Sequence, residues 1–135
     1  MRKILKIDKV LVPTDGSTYS LKAAEHAAEI AKKFGSEVQI MNVMGPGRTR
    51  PEDEKVSQEI LNRTKEVFDR AGVKVIVREP VYGHPAETIC DVAEKEKFDL
   101  IVMGSRGLSE IKAYFLGGVS DKVTHHAVCT VLIVR

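Results

Sequence analysis

The sequence predicts an α/β fold, in which helices cover both faces of one open parallel β-sheet. Five short apolar runs alternate with segments whose apolar residues recur at helical spacing, which is typical of parallel strands joined by crossover helices. The second run, at residues 37–43, is apolar at too many successive positions for a strand with one wet face. A length of 135 residues, with 43% hydrophobic and 30% charged residues, predicts one globular domain over residues 1–135.

The predicted strands lie at residues 9–12, 37–43, 73–77, 98–103 and 128–134. The first helix is predicted over residues 20–34 and ends at Gly35, and the second ends at Gly72, since glycine is common just after a helix. The third helix opens at residues 83–87, where Pro85 suits a first turn, and the last spans residues 117–126. Residues 44–53, with Gly45-Pro46-Gly47, are predicted as a surface loop rather than a dinucleotide fingerprint, because no third glycine follows at the required spacing.

Helical spacing also predicts which side chains the helices bury. The first helix is predicted to bury Leu21, Ala24, Ala27, Ala28, Ala31 and Phe34, and the second Val56, Ile60, Thr64, Val67, Phe68 and Ala71. The third is predicted to bury Ala86, Ile89, Cys90 and Ala93, and the last Val119, Val123 and Ala127. The small alanines of the first stripe would let that helix pack close to a sheet.

The charge balance indicates no special partner. Lys and Arg number 21 against 19 acidic residues, and the one basic cluster, Arg2, Lys3, Lys6 and Lys9, is interpreted as a solvated lead, so neither a nucleic acid nor a membrane partner is expected. No apolar run approaches the roughly 20 residues that span a bilayer, and the first residues lack the features of a signal peptide, so a cytoplasmic protein is expected. Cys90 and Cys129 are expected to be reduced and structural.

Residues 103–120 give the strongest indication of a binding site. An apolar strand ends at Gly104, Gly107 follows after two residues, and Gly117-Gly118 opens another helical segment. Glycines allow positive φ angles and let a ligand approach bare N–H groups, and the first turn of a helix presents further unpaired N–H groups. Such a segment is suited to binding anions, phosphate above all.

These residues resemble the nucleotide fingerprint of the universal stress protein family, which is Gly, two residues, Gly, nine residues, Gly, then Ser or Thr. Gly104, Gly107 and Gly117 have that spacing, whereas Gly118 stands at the hydroxyl position, so one phosphate contact is missing. The resemblance extends through VLVPTDGS at residues 10–17, GHPAETI at 83–89 and VCTVLIV at 128–134. It implies a Rossmann-like fold of the adenine nucleotide alpha hydrolase type, with strand order 3-2-1-4-5.

The resemblance also implies an adenine-nucleotide site at the carboxyl ends of the strands. The residues expected there are Pro13, Thr14, Asp15, Val43, Met103, Gly104, Arg106, Gly107, Gly117, Gly118, Val119 and Ser120. Asp15 has two interpretations: a hydrogen-bond acceptor for ribose or adenine, or an Asx turn or cap at the following helix. Arg106 either pairs with a phosphate or is simply solvated, and Ser120 either contacts the ligand or is a polar residue of the helix start.

The sequence therefore predicts a stress-response homodimer that binds ATP, with or without Mg²⁺, or AMP. The apolar terminal strand at residues 128–134 would be hazardous as an exposed edge, which predicts that a second copy covers it. The alternatives are a dimeric interaction module that has lost the nucleotide and, more weakly, a slow ATPase. No catalytic residue or metal ligand is predicted, because the chain lacks GxxxxGK[ST] and GxSxG motifs and His125 and His126 adjoin each other rather than share a helix face.

Overall fold

The computed structural model describes residues 5–107 and 117–135. Strands are β1 (Lys9–Pro13), β2 (Glu37–Met41), β3 (Val43–Met44), β4 (Val75–Val77), β5 (Val81–Tyr82), β6 (Leu100–Gly104) and β7 (Thr130–Val134). Helices are α1 (Thr18–Phe34), α2 (Pro51–Ala71), α3 (Pro85–Lys95) and α4 (Gly118–His126). The spacer of the glycine motif at 108–116 and residues Arg2 and Lys3 of the basic lead lie outside the described residues. None of the described helices has the length and apolar character needed to cross a membrane.

Five parallel strands form the main sheet in the order β4-β2-β1-β6-β7. This order confirms the predicted 3-2-1-4-5 arrangement, because β4, β6 and β7 are the third, fourth and fifth strands of that prediction. The sequence did not predict the second, two-stranded parallel sheet, in which Val43 pairs with Val81 and Met44 with Tyr82. The predicted second strand is therefore divided at Asn42, and its last residue belongs to a different sheet.

The two faces of the main sheet carry separate cores, as alternation along each strand requires. Along β1, Val10 and Val12 belong to one core and Leu11 to the other. Helices α1 and α2 cover the first face with a layer of alanines and with Leu61 and Phe68. Helices α3 and α4 cover the second face.

Several predicted boundaries were wrong by two or three residues. Val73 and Phe98 do not begin strands, because their N–H groups bond back to the preceding helices, to Phe68 O and Ala93 O, each at 2.9 Å. Helix α1 begins at Thr18 because Ser17 caps it, and α2 begins at Pro51, inside the predicted loop 44–53. Strand β7 begins at Thr130 rather than at residue 128.

Three of the side chains predicted to be buried are exposed: Phe34, Val56 and Val119. Phe34 is the last residue of α1, and Val119 borders the open cavity and the neighbouring groove. Val56 lies beside the buried stripe of α2, which is formed by Ser57, Leu61, Thr64 and Phe68. Both cysteines are free and half-buried rather than fully buried. Burial raises the pKa of the Cys90 thiol and of the Cys129 thiol, so both thiols are protonated at neutral pH.

We expect Phe68→Ala to destabilise the fold much more than Phe34→Ala. Phe68 is 0% exposed within the first core, so its truncation should lower the free energy of unfolding by about 3–5 kcal/mol. Phe34 is 47% exposed at the end of α1, so the matched change should cost only about 1 kcal/mol. Urea denaturation measures both, and equal losses would contradict the described packing of α2.

Candidate functional site

The carboxyl ends of β1, β2 and β6 meet at one edge of the sheet, because these three central strands are parallel and adjacent. In open α/β sheets, ligands bind at this edge. A cavity of about 370 Å³ lies there. Its walls come from the segments that follow these strands and from the starts of α3 and α4.

The structure brings most of the predicted site residues together around this cavity. The lining includes Pro13, Thr14, Asp15, Val43, Met103, Gly104, Arg106, Gly107, Gly117, Val119 and Ser120. Gly118 is the exception. It is the first residue of α4 and lines the neighbouring groove between α3 and α4 instead.

The turn after β1 is fixed by its own side chains. The Asp15 carboxylate accepts a hydrogen bond from the Ser17 N–H at 2.9 Å, which is an Asx turn, so the structural interpretation of Asp15 is present. Gly16 has a φ of +80°, which a side chain would resist. Ser17 is the N-cap of α1, and its hydroxyl accepts from the Ser20 N–H at 3.2 Å.

Beneath this turn, a buried polar network joins β1, β2 and α2. The Thr14 N–H donates to Met41 O at 2.9 Å, and Asn42 Nδ2 donates to Thr14 O at 2.7 Å. Ser57 Oγ on α2 donates to Asn42 Oδ1 at 2.6 Å, and the hydroxyls of Thr14 and Thr64 lie 2.8 Å apart. The turn that carries Asp15 is thus anchored to α2 through groups shielded from water.

Packing requires one glycine of the fingerprint, Gly104, and brings the Asp15 side chain against another, Gly107. A Cβ on Gly104 would lie 2.7 Å from the Tyr19 Cβ and 2.8 Å from the Tyr19 carbonyl carbon, so the missing side chain lets α1 approach β6. A Cβ on Gly107 would collide with Asp15 Oδ2. Neither residue has a positive φ, so the expectation of left-handed backbone is wrong for both.

Arg106 is held inside the loop by an aromatic side chain. Its guanidinium carbon lies 4.2 Å from the centroid of the Tyr19 ring, which is a cation–π contact. The ring supports one face of the guanidinium and leaves the arginine at the cavity lining. The alternative in which Arg106 is only solvated is therefore wrong.

The start of α4 lines the cavity and is hydrogen-bonded to Ser105, just after β6. Gly117 is the N-cap, and its N–H donates to Ser105 O at 2.5 Å. The buried Ser120 hydroxyl lies 2.9 Å from Ser105 O and 3.0 Å from Gly117 O, and it donates to these carbonyls. The Ser120 hydroxyl hydrogen is therefore used to hold the two ends of the glycine segment together.

Six lining residues were not predicted from the sequence: Ser20, Met41, Asn42, Arg48, Pro85 and Ile89. The sequence did indicate that Asn42 is unusual, because it is a polar residue inside an apolar run at the end of a strand. Pro85 and Ile89 belong to the GHPAETI segment, which carried the family resemblance without a site role. Arg48 follows the GPG turn and had no signal.

The charged residues of the described lining are Asp15, Arg48 and Arg106, so cations outnumber carboxylates. Within residues 5–107 and 117–135, no three His, Cys, Asp or Glu side chains are grouped to hold a metal ion. The cavity thus offers backbone N–H groups, two guanidinium groups and an apolar wall. That set suits an anionic ligand with an apolar part.

Comparisons with known proteins agree with this geometry. The model of the universal stress protein family matches residues 6–135. A universal stress protein of Methanocaldococcus jannaschii is 38% identical over 94% of this chain and 81% of its own length. One from Bacillus subtilis is 36% identical over 95% of this chain and 99% of its own length. A universal stress protein solved in complex with cAMP is 30% identical, has a TM-score of 0.78 and covers 95% of this chain and 97% of its own.

The buried network gives a prediction about coupling. Asn42→Ala leaves the Ser57 hydroxyl without its acceptor, and Ser57→Ala leaves Asn42 Oδ1 without its donor, so each should cost about 1–3 kcal/mol of unfolding free energy. The double variant should cost less than the sum of the two by about 0.5–3 kcal/mol. Urea denaturation measures the cycle, with Asn62→Ala on the exposed face of α2 as the neutral control. Strictly additive losses would contradict the Asn42–Ser57 contact.

Proposed function

The chain belongs to the universal stress protein family, and we propose that it binds an adenine nucleotide, ATP in particular, in the cavity at the ends of β1, β2 and β6. The observation that carries this proposal is that residues 13–15, Val43 and residues from the described parts of the glycine motif, at 103–107 and 117–120, line one cavity. These segments are far apart in the sequence. They come together only in the folded chain.

The cavity has two chemically different ends that match the parts of a nucleotide. Met41, Val43 and Ile89 supply apolar surface for a base, and Asn42 and Asp15 supply polar groups beside it. The glycine loop, Arg106 and the N-terminus of α4 supply cations and N–H groups for phosphates. Its volume, about 370 Å³, lies at the lower end of the usual range for small-molecule sites.

The relative solved with cAMP supports an adenine nucleotide as the ligand class. Mg²⁺, when it accompanies ATP, is usually held by substrate phosphates and one or two carboxylates. Asp15 is the one carboxylate of the described lining, so Mg²⁺ would depend mainly on the phosphates. The chain's own residues would bind and orient the nucleotide through Asp15, Arg106 and backbone N–H groups.

The competing function is an interaction module that keeps the fold and has lost the nucleotide. It rests on Gly118, which stands at the family's hydroxyl position. Two measurements decide between them: nucleotide analysis of freshly purified protein, and calorimetric titration with ATP and AMP. Binding of either nucleotide supports the proposed function, whereas no bound nucleotide and no heat of binding would support the interaction module.

Asp15→Ala should weaken ATP and AMP binding by roughly ten- to a hundredfold, because a hydrogen bond to a charged group is lost. The matched control is Asp99→Ala. The Asp99 carboxylate also accepts backbone N–H groups, of Asp8 at 2.8 Å and Lys9 at 3.0 Å, but it precedes β6 at the opposite edge of the sheet. Asp99→Ala should therefore leave affinity unchanged. Equal dissociation constants for Asp15→Ala and the unaltered chain would remove Asp15 from the ligand contacts.

We also propose that the protein is a cytoplasmic homodimer that acts in the stress response, with β7 at the interface. Strand β7 is the terminal strand of the sheet, and Val131, Leu132 and Ile133 along it are only half-buried. Val128, just before it, is 69% exposed. A second copy would cover these apolar side chains and the strand edge.

Light scattering at micromolar concentration should therefore give twice the chain mass of 14.9 kDa. Val128→Asp should shift the mass toward the monomer, because a carboxylate would be buried at the interface. Val56→Asp changes another exposed valine, on α2, and should leave the mass unchanged. A monomeric mass for the unaltered chain would contradict the proposed dimer.

A further inference from the structure

The Gly45-Pro46-Gly47-Arg48 segment between β3 and α2 forms a defined turn. The Arg48 N–H donates to Gly45 O at 3.1 Å, and Gly47 has a φ of +87°. Proline at the second position and a positive-φ glycine at the third are the features of a type II turn. The turn restricts the backbone conformation at Pro46 and Gly47. It therefore fixes the position of Arg48, its last residue.

Arg48 contributes to the cavity and little to the fold. Its side chain is 71% exposed, yet it belongs to the lining. Its Nη1 lies 3.8 Å from Asp53 Oδ1, and Asp53 is itself held at the start of α2, where it accepts the Arg50 N–H at 3.2 Å. The Asp53 side chain is only 10% exposed, but it also lies 3.8 Å from Arg50, so the loss of Arg48 leaves it a cation and costs little stability. The ion pair restrains the Arg48 guanidinium at the rim of the cavity.

Arg48 and Arg106 reach the cavity from opposite sides. Strands β2 and β6 flank β1, so the segment after β2 and β3 lies across the cavity from residues 105–107, which follow β6. Arg106 lies at the end suited to phosphates. Arg48 follows Val43 of the apolar wall by five residues, and we therefore place its guanidinium at that end of the cavity, where the base would lie.

A guanidinium at that end has a specific use, because it is planar, weakly hydrated and stacks on aromatic faces. This chain already contains one such contact, between Arg106 and Tyr19 at 4.2 Å. We propose that Arg48 covers the base end of the cavity by stacking its guanidinium on the adenine ring of the bound nucleotide. The inference rests on the proposed function, and it makes the GPGR turn a determinant of base binding.

The test compares Arg48→Ala, Arg48→Lys and Arg50→Ala with the unaltered chain, using adenosine, AMP and ATP as ligands in calorimetric titrations. Arg48→Ala should weaken all three ligands by a similar factor, about five- to thirtyfold, because the base is common to them. Arg48→Lys should lose nearly as much, since lysine keeps the charge but not the planar group.

Arg50→Ala is the matched control. Arg50 has the same 71% side-chain exposure and lies 3.8 Å from the same carboxylate, but it is not part of the cavity lining. It should leave all three affinities unchanged. Melting temperatures of the Arg48 variants should stay near that of the unaltered chain, because the side chain is exposed.

Each other outcome overturns the proposal in a recognisable way. If the unaltered chain binds the ligands and Arg48→Ala binds them equally well, Arg48 does not contact the base and only the stacking proposal falls. A loss that grows from adenosine to ATP, and that Arg48→Lys largely restores, would assign Arg48 to the phosphates instead. If the unaltered chain binds none of the three, the proposed function fails and the stacking proposal falls with it.

Discussion

The cavity depends on the buried hydrogen bonds that join the ends of β1 and β2 to α2. Strands of a parallel sheet end with backbone groups that no neighbouring strand can pair, and burying such groups unpaired costs about 1–3 kcal/mol each. Asn42 solves this problem by donating to Thr14 O while it accepts from Ser57. Within the described parts of the chain, every buried side-chain nitrogen and oxygen has a partner. The turn that carries Asp15 therefore has one well-defined position before any ligand arrives.

The glycines of the motif serve both the packing of α1 on the sheet and the shape of the cavity. The sequence motif alone does not show which of the two requires each glycine. Gly104 is needed because the backbone of α1 at Tyr19 lies against β6, and the Asp15 carboxylate lies against Gly107. The same close approaches bring Tyr19 beneath Arg106 and the turn after β1 beside the glycine loop. The packing of α1 on the sheet therefore also determines the shape of the cavity. A side chain at residue 104 would disturb both.

Much of the fold could be predicted because its causes are local. Apolar runs gave the five strands of the main sheet, and Gly35 and Gly72 marked helix ends that the structure places at residues 34 and 71. The β3–β5 pair could not be predicted, since two-residue strands carry no periodicity and form only where the chain leaves the main sheet at Asn42. Phe34 and Val56 fit the helical spacing, yet Phe34 is the last residue of α1 and Val56 lies beside the buried stripe of Ser57, Leu61, Thr64 and Phe68. Periodicity identifies the apolar side of a helix, and only the assembled sheet determines which residues of that side are covered.

The cavity lining, like the fold, is predictable from local sequence in part, and the rest is determined only by the folded chain. The family resemblance predicted lining residues after β1 and β6, whereas Arg48, Pro85 and Ile89 come from other segments and meet the cavity only after the chain has folded. Gly118 illustrates the limit of a motif, because successive residues of an α-helix point about 100° apart. Gly117, Val119 and Ser120 line the cavity, while Gly118 between them lines the groove toward α3. The motif alone therefore does not determine which residues line the cavity, and the described lining on either side of residue 118 is Gly117, Val119 and Ser120.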